Sequence, residues 1–420
     1  MKSFIFICIA VVSFLFFSTP TTRAGSVWYV NCDLSSNGNG SINIPWNNIN
    51  SAKRSSGSVQ PGDIVNIKGA CLNVTFNTAD SGTNVAQIVY QQWSGQINWT
   101  MYGTDSGNTP AINFTNAASY ITINGAYIKD WYAGVYFGSS TGVTGVIIQN
   151  CEIWSCFSWG GIQTAAGFVN SFTIQNCKIH DNGDDPGGHE HNLYIESCEV
   201  GCSILNNEIY NGGTNNIQIY PDVSLGHTIN ITIAGNKIYH SGVADGSGNN
   251  IYLSSKNGQN GISSALVANN FIWEAAGSGI QIRNNNITYF KIFHNTLYNN
   301  SEYGIDVVSS SNSNLVEIKN NIAYGNKIGQ LYIQPNNIVA TNFVTNPQFI
   351  STDPLSSDFL KLSTNSPAID AGVTISSITT DFFGTSRPQG TAYDIGAYEY
   401  PSGGSGDITP PSAPTGVQVI

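Results

Sequence analysis

A short unit that recurs seven times between residues 147 and 323 restricts the folds open to this chain. The second residue of each copy is Ile or Val, and the fifth is Asn or Cys. These fifth residues follow one another at intervals of 25 to 34 residues. A period of this size with variable insertions indicates a solenoid, in which each repeat packs mainly on its two neighbours. The fifth residues are Cys151, Cys177, Asn207, Asn236, Asn270, Asn295 and Asn321.

A second unit alternates with the first, and eight copies lie between residues 134 and 334. Its second residue is always aliphatic, and its third is Tyr, Gln or Asp. This alternation with period two, rich in β-branched residues, indicates half-buried strands. Two or three such strands per turn predict a parallel β-helix of eight regular coils, roughly 35 to 40 Å long at ~4.8 Å per coil. Inward Ile, Leu and Val columns would form its core, and the Asn side chains would hydrogen-bond from coil to coil.

Both sets of columns resemble those of the right-handed parallel β-helix superfamily, the secreted, pectate-lyase-like group of carbohydrate-active proteins. The resemblance covers most of the chain and identifies a fold rather than one enzyme family. It implies an all-β solenoid with an N-terminal cap and first coils over residues 25–110 and the right-handed β-helix over residues 111–345. The best candidate for a helical cap is the segment of residues 49–55.

After the repeats, several short motifs resemble, in order, the choice-of-anchor Q module found after bacterial surface β-helices. They lie at residues 346–349, 366–372, 381–384 and 394–399. The resemblance implies a module over residues 346–400 that closes the C-terminal end of the solenoid. Residues 401–420 combine a Gly/Ser/Pro linker with a segment that resembles the start of a fibronectin type III domain, so we expect further domains of a longer surface protein.

The first 24 residues have the organisation of a secretory signal. Lys2 precedes an apolar run over residues 4–17, and small side chains occupy Thr22 and Ala24 before the expected cleavage point. The apolar run is too short to span a bilayer. We therefore expect a mature protein that is secreted or attached to the cell surface and has no membrane span.

Seven cysteines remain once Cys8 leaves with the signal, so at least one is unpaired within the chain. No Cys/His spacing suits zinc. The notable positions are Cys32 and Cys71, plausible partners that flank the N-terminal segment; Cys198 and Cys202, on one loop; and Cys151 and Cys177, one coil apart in one column and suited to stacking in the core.

Charge and composition exclude some partners. The formal net charge is −11 and no basic run occurs, which argues against nucleic acid and against an acidic membrane surface. Only 10% of residues are charged while 11% are aromatic, as is typical of closely stacked β coils with uncharged polar faces. We expect a monomer that binds a polysaccharide. A polyanionic polysaccharide would bind less readily without a bound cation.

The outward positions of the second unit form a stripe of Tyr and Gln that continues to Asp306. Aromatic faces stack on pyranose rings and fixed amides select hydroxyl groups, so the stripe is typical of sugar binding. The same residues also suit an exposed strand surface that interacts only with itself. The predicted substrate-binding residues are Tyr194, Gln218, Tyr252, Gln281 and Lys256, and a second outward column holds Glu196, Tyr220, Ser254 and Arg283.

The loop of residues 184–191 concentrates ionisable side chains, with two Asp, two His and one Glu within eight residues. Such a cluster can bind Ca²⁺ through carboxylates or supply a general base, although Asp/Gly/Pro-rich loops are also ordinary turns. Insertions at residues 180–191, 221–230 and 240–249 fall in neighbouring coils, so we expect them to project side by side. The predicted metal ligands are Asp184, Asp185 and Glu190, and Asp222, His240 and Asp245 come from the adjacent insertions.

Two enzyme mechanisms fit these residues. A lyase acting on a uronic acid polymer would neutralise the sugar carboxylate with Ca²⁺ or Arg283. Its base, which removes the C5 proton, would be His191, Tyr220 or Lys256. An inverting hydrolase would instead need two carboxylates roughly 6.5 to 9.5 Å apart. Candidates for that pair are Asp184 or Asp185 with Glu196, Asp222 or Asp245.

A non-catalytic binding rod, an adhesin-like module of a surface protein, is the alternative to an enzyme. The segments after residue 345 favour it, whereas a single cleft that gathers the ionisable residues would favour catalysis. The predicted catalytic residues are His189, His191, Glu196, Tyr220, Asp222 and Arg283.

Overall fold

The chain folds into a parallel β-helix with three faces. Within the described residues 31 strands are present, of which 10 form one sheet and 21 form a second sheet that bends around a corner. The predicted signal, except for Ala24, and the predicted linker after Pro401 lie outside the described residues. The computed structural model describes residues 24–401 apart from residues 105–107, 139–141, 165–167, 184–189, 223–228, 245, 256–260, 284–288, 309–315 and 336.

We name the faces A, B and C in the order in which the chain meets them. Face A comprises Val27–Asn31, Ile64–Leu72, Ile88–Gln92, Ile121–Asn124, Val146–Gln149, Ser171–Gln175, Cys198–Leu205, Ile229–Ala234, Ile262–Ala268, Tyr289–Phe293, Val316–Lys319 and Ile338–Ala340. Face B comprises the end of Ile64–Leu72, then Trp99–Tyr102, Tyr127–Lys129, Glu152–Trp154, Lys178–His180, Glu208–Tyr210, Lys237–Tyr239, Phe271–Trp273, Thr296–Tyr298 and Ile322–Tyr324. Face C comprises Phe76–Thr78, Pro110–Phe114, Ala133–Phe137, Gly160–Thr164, Leu193–Ile195, Ile217–Ile219, Ile251–Ser254, Ile280–Arg283, Tyr303–Val308 and Gly329–Ile333.

Each strand pairs in parallel with its equivalents one coil before and one coil after. Ile148, for example, pairs with Ile123 on one side and Ile174 on the other. The eight predicted coils correspond to the last eight strands of face C, and two earlier strands extend the helix towards the N-terminus. The predicted fold class is confirmed.

The core runs through the whole helix because alternate residues of every strand point inward. On face C the inward aliphatic side chains Ile162, Leu193, Ile217 and Ile251 are fully buried. Their stacking joins the coils into one continuous hydrophobic cluster. The predicted inward columns are therefore confirmed, and the residues between them are left to form the outer surface.

The corner between faces A and B carries the predicted Asn ladder. The side-chain amide of Asn207 donates to Asn236 at 3.0 Å, and Asn236 donates to Asn270 at 3.0 Å. The same bond continues through Asn295 and Asn321. All five amides are buried and each also donates to a backbone carbonyl, so this corner is tightly specified.

Two of the three corners turn through a residue with positive φ. At the corner between faces A and B these residues precede the Asn ladder, as at Asn206. A second left-handed column follows face B, and Asn and Asp tolerate this conformation because their short side chains bond locally. The members of the second column are Asp130, Ser155, Asp181, Asn211, His240, Glu274 and Asn299.

The N-terminal end is covered by two short 3-10 helices, Ile49–Ser51 and Arg54–Ser56. Ile49 and Ala52 are fully buried within the main core, and the Tyr90 hydroxyl donates to the Ala52 carbonyl at 2.9 Å. This segment coincides with the predicted helical cap and adds buried side chains to the core at the first coils.

The cysteines fall into two classes. Disulfides join Cys32 to Cys71 and Cys198 to Cys202. The second lies within the face A strand Cys198–Leu205, where the register shifts. The free cysteines of the described residues are all buried, and burial raises the pKa of Cys156 to about 12, which keeps that thiol protonated. They are Cys151, Cys156 and Cys177.

The segment of residues 346–400 lies along the side of the helix. Ile375 and Ile378 pack against Phe293 of face A, and Phe359 stacks edge-on to Trp273 of face B at 4.9 Å between centroids. The sequence predicts a segment that closes the C-terminal end, whereas the described contacts cover the side of the last coils. The physical reason is that the outward side chains of faces A and B there are apolar and need cover.

A buried ion pair holds this segment. Arg387 Nη1 lies 2.6 Å from Glu399 Oε2, and both side chains are fully buried. Arg387 also donates to the carbonyl of Gly396 at 2.8 Å. Among the described residues, no helix is both long and apolar enough to cross a membrane.

Candidate functional site

The outward residues of face C form one column, as the register of the strands shows. Tyr194 pairs with Gln218 and Tyr252 with Gln281 on successive coils. Because Tyr alternates with an amide or acid, successive Tyr rings from Tyr136 to Tyr252 are two coils, or about 10 Å, apart. We call these residues the face C column: Tyr136, Gln163, Tyr194, Gln218, Tyr252, Gln281, Asp306 and Tyr332.

A second ladder lies at the corner that leads into face C. The backbone N–H of Asn215 donates to His191 Nδ1 at 3.1 Å, and the N–H of Asn249 donates to Asn215 Oδ1 at 2.7 Å. The N–H groups of Ser278 and Tyr303 repeat the bond to the residue one coil earlier. His191 therefore opens a row of four side-chain acceptors on successive coils.

This corner ladder is joined to the face C column. The Asn215 amide donates to Gln218 at 2.7 Å, and the Asn249 amide donates to Gln281 at 3.3 Å. Gln281 in turn donates to Asp306 Oδ2 at 2.7 Å. One continuous hydrogen-bonded network thus runs from His191 to Asp306 and fixes which way each amide points.

The ladder also determines the state of His191, which is almost fully buried. A backbone N–H can only donate, so Nδ1 must carry a lone pair and the neutral ring carries its proton on Nε2. The ring contacts Tyr194 edge-on at 5.4 Å between centroids. In this state His191 is a hydrogen-bond donor through Nε2, and it cannot serve as the predicted base without changing tautomer.

Tyr194 and Glu196 form a coupled pair beside His191. Burial, followed by the charge of Glu196 and a hydrogen bond to it, raises the pKa of Tyr194 far above its ordinary value, although an amide hydrogen bond from Gln218 opposes the shift. Tyr194 therefore stays protonated. Burial and the charge of Glu196 also raise the pKa of Tyr136, so the Glu196 carboxylate acts electrostatically on both phenols.

Asp306 lies at the other end of the network and is 3% exposed. Burial raises its pKa, while the Gln281 hydrogen bond and the charge of Arg283 oppose the rise and Glu302 adds to it. Arg283 Nη2 is 3.9 Å from Oδ2, which is a long ion pair. Oδ1 is buried without a hydrogen-bond partner among the described residues, so this carboxyl retains a capacity to bind.

A cleft of about 420 Å³ opens between the two ends of the network. Tyr252, Gln281 and Arg283, all named from the sequence, line it together with Asn215, Asn249 and Glu302. A cavity of about 340 Å³ lies on face A, where Lys291 is the one acidic or basic residue among its described lining. Convergent polar groups mark the face C cleft as the candidate site.

Of the other predicted residues, Glu190 and Asp222 are buried, Tyr220 is half-buried and the rest lie outside the described residues. Glu190 and Asp222 are buried at 5% and 8% exposure, and Tyr220 follows the strand Ile217–Ile219 next to Glu196. Its backbone N–H donates to the carbonyl of Ile195. The predictions for Asp184, Asp185, His189, Asp245 and Lys256 lie outside the described residues.

The prediction that three insertions project side by side is wrong. Residues 180–191 and 240–249 connect face B to face C, whereas residues 221–230 connect face C to face A. The spacing of the repeat markers measures a whole coil and does not reveal which corner carries the extra residues. The insertions therefore border opposite edges of face C.

The coil spacing decides which residues can act together. Glu196 follows the strand that carries Tyr194, four coils before Asp306, so these two carboxylates are about 19 Å apart, far beyond the separation of an inverting pair. Arg283 is three coils from Glu196, about 14 Å. Glu196 and Arg283 would therefore contact different units of a long ligand.

Sequence reasoning did not identify Asn215, Asn249 and Glu302. A signal for the first two was present, because Asn215-Asn216 and Asn249-Asn250 precede aliphatic residues as His191-Asn192 precedes Leu193. Extending the second unit one residue further upstream reveals this column. Glu302 carries no comparable pattern.

The fold matches known proteins. The family model described as a right-handed beta helix region matches residues 161–376. Pectate lyase Pel9A is 17% identical with a TM-score of 0.70, over 90% of this chain and 96% of that chain. A rhamnogalacturonan lyase is 13% identical with a TM-score of 0.52, over 81% and 97%. XylC in complex with xylose is 11% identical with a TM-score of 0.51, over 75% and 70%. No curated protein sequence matches.

Proposed function

We propose a function for this chain, which belongs to the right-handed β-helix family: it is a secreted carbohydrate-active enzyme that binds a polysaccharide along face C and cleaves it. The observation that carries the proposal is the hydrogen-bonded network from His191 to Asp306. The network spans five successive coils, and its amides on the three middle coils are held in fixed orientations beside an open cleft. An array of oriented amides and spaced phenols suits a repeating chain of hydroxylated rings.

The proposed reaction is β-elimination on a uronic acid unit held at Glu196. The Glu196 carboxylate would take the C5 proton, the electron pair would form the C4–C5 double bond, and the bond from C4 to the leaving oxygen would break. That oxygen would receive a proton from the Tyr194 hydroxyl. Tyr194 is protonated at working pH, as a proton donor must be. Proton transfer from Glu196 back to the Tyr194 phenolate would then restore both groups for the next cycle.

Arg283 would then bind a carboxylate elsewhere on the polymer, since it is about three coils, or ~14 Å, from Glu196. Groups other than Arg283 would therefore have to neutralise the carboxylate of the uronic acid unit that is held at Glu196. A Ca²⁺ site remains a prediction. Of its predicted ligands only Glu190 lies within the described residues, and those residues contain no cluster of three metal-binding side chains.

Asp306 favours a second candidate reaction, hydrolysis. Its pKa is raised by burial, as a general acid requires, and the nearby Glu302 carboxylate interacts with it electrostatically. Glu302 accepts a hydrogen bond from Ser278 at 3.3 Å, which fixes the carboxylate at the edge of the cleft. In this reaction Asp306 would protonate the leaving oxygen and Glu302 would activate water.

The test is a screen of the purified mature protein against neutral and uronic acid polysaccharides, with added Ca²⁺ or a chelator. Ultraviolet absorbance of unsaturated ends and the release of reducing ends are followed together. Both signals would support elimination, and reducing ends alone would support hydrolysis. Retention on a polysaccharide column with neither signal would overturn the enzyme proposal in favour of the binding rod.

A further inference from the structure

An exposed aromatic patch borders face C on the N-terminal side of His191. Trp159 lies 4.9 Å from Tyr132 and 5.0 Å from Tyr136, measured between ring centroids. Trp159 is 37% exposed, whereas Trp99, which fills the core, is fully buried. We call Tyr132, Tyr136 and Trp159 the Trp159 patch.

The backbone places this patch against the candidate site. Gly160 aligns with His191 in the register of face C, and a Cβ at Gly160 would lie 1.9 Å from the His191 carbonyl oxygen. Gly160 also has a positive φ of 74°. Only glycine allows this approach, so Trp159 is held next to the coil that carries His191.

The patch also borders the proposed catalytic pair. Tyr136 is a member of the face C column two coils before Tyr194, and burial, followed by the charge of Glu196, raises its pKa. The Trp159 ring contacts Tyr136 at an interplanar angle of 38°, so the rings are tilted rather than stacked. Since Trp159 is 37% exposed, part of the indole surface remains accessible to a ligand beside face C.

We propose that the Trp159 patch is a sugar-binding subsite that stacks on the apolar face of a pyranose ring, adjacent to the unit held at Tyr194 and Glu196. This inference rests on the proposed function and extends it, because it makes the enzyme act on long chains. Each aromatic contact of this kind contributes modestly, and removing it weakens binding about two- to tenfold.

The experiment compares Trp159→Ala and Trp159→Phe with Trp93→Ala. Trp93 is partly exposed but lies beside Tyr29 and Lys68 on the first coils, which makes it a matched control. The kcat/KM is measured on polysaccharide and on oligosaccharides of increasing length. Affinity is measured separately in a Glu196→Gln background.

We expect Trp159→Ala to lower affinity and kcat/KM about two- to tenfold for long substrates only. Trp159→Phe should retain most of the affinity, and Trp93→Ala should match the parent protein. Equal behaviour of Trp159→Ala and the parent on all lengths, with cleavage still dependent on Glu196, would overturn the subsite alone. Failure of the parent protein to bind or cleave any polysaccharide would overturn both proposals.

Discussion

Faces B and C use the same coil spacing in opposite ways. On face B five rings from Trp154 to Trp273 follow one another on successive coils, with centroids 4.2 to 6.0 Å apart and planes within 14°. On face C each Tyr from Tyr136 to Tyr252 is separated from the next by a Gln. Like residues in a column stack on themselves, whereas alternating residues leave ring faces and amides available. The difference separates a structural ladder from a binding surface.

The largest expected effect is on catalysis at face C. Glu196→Gln should lower kcat by about 10²- to 10⁴-fold, the usual contribution of a general base. The melting temperature should barely change, because the amide keeps the size of the side chain. Glu317→Gln on face A is the control. Unchanged turnover in Glu196→Gln would remove this residue from the mechanism and weaken the contrast between the faces.

The next effect is on stability at the corner between faces A and B. Asn236→Ala removes the acceptor of the Asn207 N–H and leaves buried partners unsatisfied. We expect a loss of about 2 to 3 kcal/mol in the free energy of unfolding, measured with urea. Asn342 ends the same ladder, where it accepts from the Asn321 amide at 2.9 Å, and it is less buried, so Asn342→Ala should lose less. Specific activity of the folded variant should be unchanged.

A paired substitution tests the comparison of the two columns directly. Tyr210→Ala on face B removes two stacked ring contacts and should cost about 1 to 3 kcal/mol of stability without weakening substrate binding. Tyr252→Ala on face C should leave stability nearly unchanged and weaken polysaccharide binding about fivefold. The reverse pattern in unfolding and binding assays would contradict the assignment of the faces.

The smallest effect concerns the pH dependence of stability. The pKa of Asp306 is raised in the folded chain, so the folded state holds the proton more tightly than the unfolded state. Stability contributed by this group is present below the ordinary Asp pKa of about 3.9 and is lost as the pH rises through the raised value. Asp306→Asn keeps an acceptor for Gln281 and should remove this loss. Unfolding curves of both proteins are measured at acidic and at neutral pH. If Asp306→Asn loses as much stability as the parent protein when the pH is raised, or more, the prediction is wrong.

The regular part of the fold could be predicted because every coil requires the same residue types at the same positions. Inward Ile and Leu columns, the Asn ladder and the stacked position of Cys151 and Cys177 all depend on residue type and period alone. Strand register follows from the same pattern, since a shift by one residue would expose the core column. These features needed no knowledge of loop conformation.

The candidate site was predictable only in part. The outward column on face C follows from alternation, but the contacts of His191 depend on corners of unequal length. Trp159 contacts Tyr136 because the chain turns at Gly160, which has a positive φ, and this turn places Trp159 beside the strand Ala133–Phe137. The lateral cover by residues 346–400 depends on long-range packing, as between Phe359 and Trp273, which local motifs do not encode.

The two left-handed columns have a consequence for how such a protein can diversify. In each coil they fix the direction in which the chain enters face B and the direction in which it leaves. Extra residues accumulate around face C, where a segment can lengthen and return to the same register one coil later. New specificities can therefore be acquired by exchanging these segments individually, as interchangeable inserts on a frame whose dimensions stay constant.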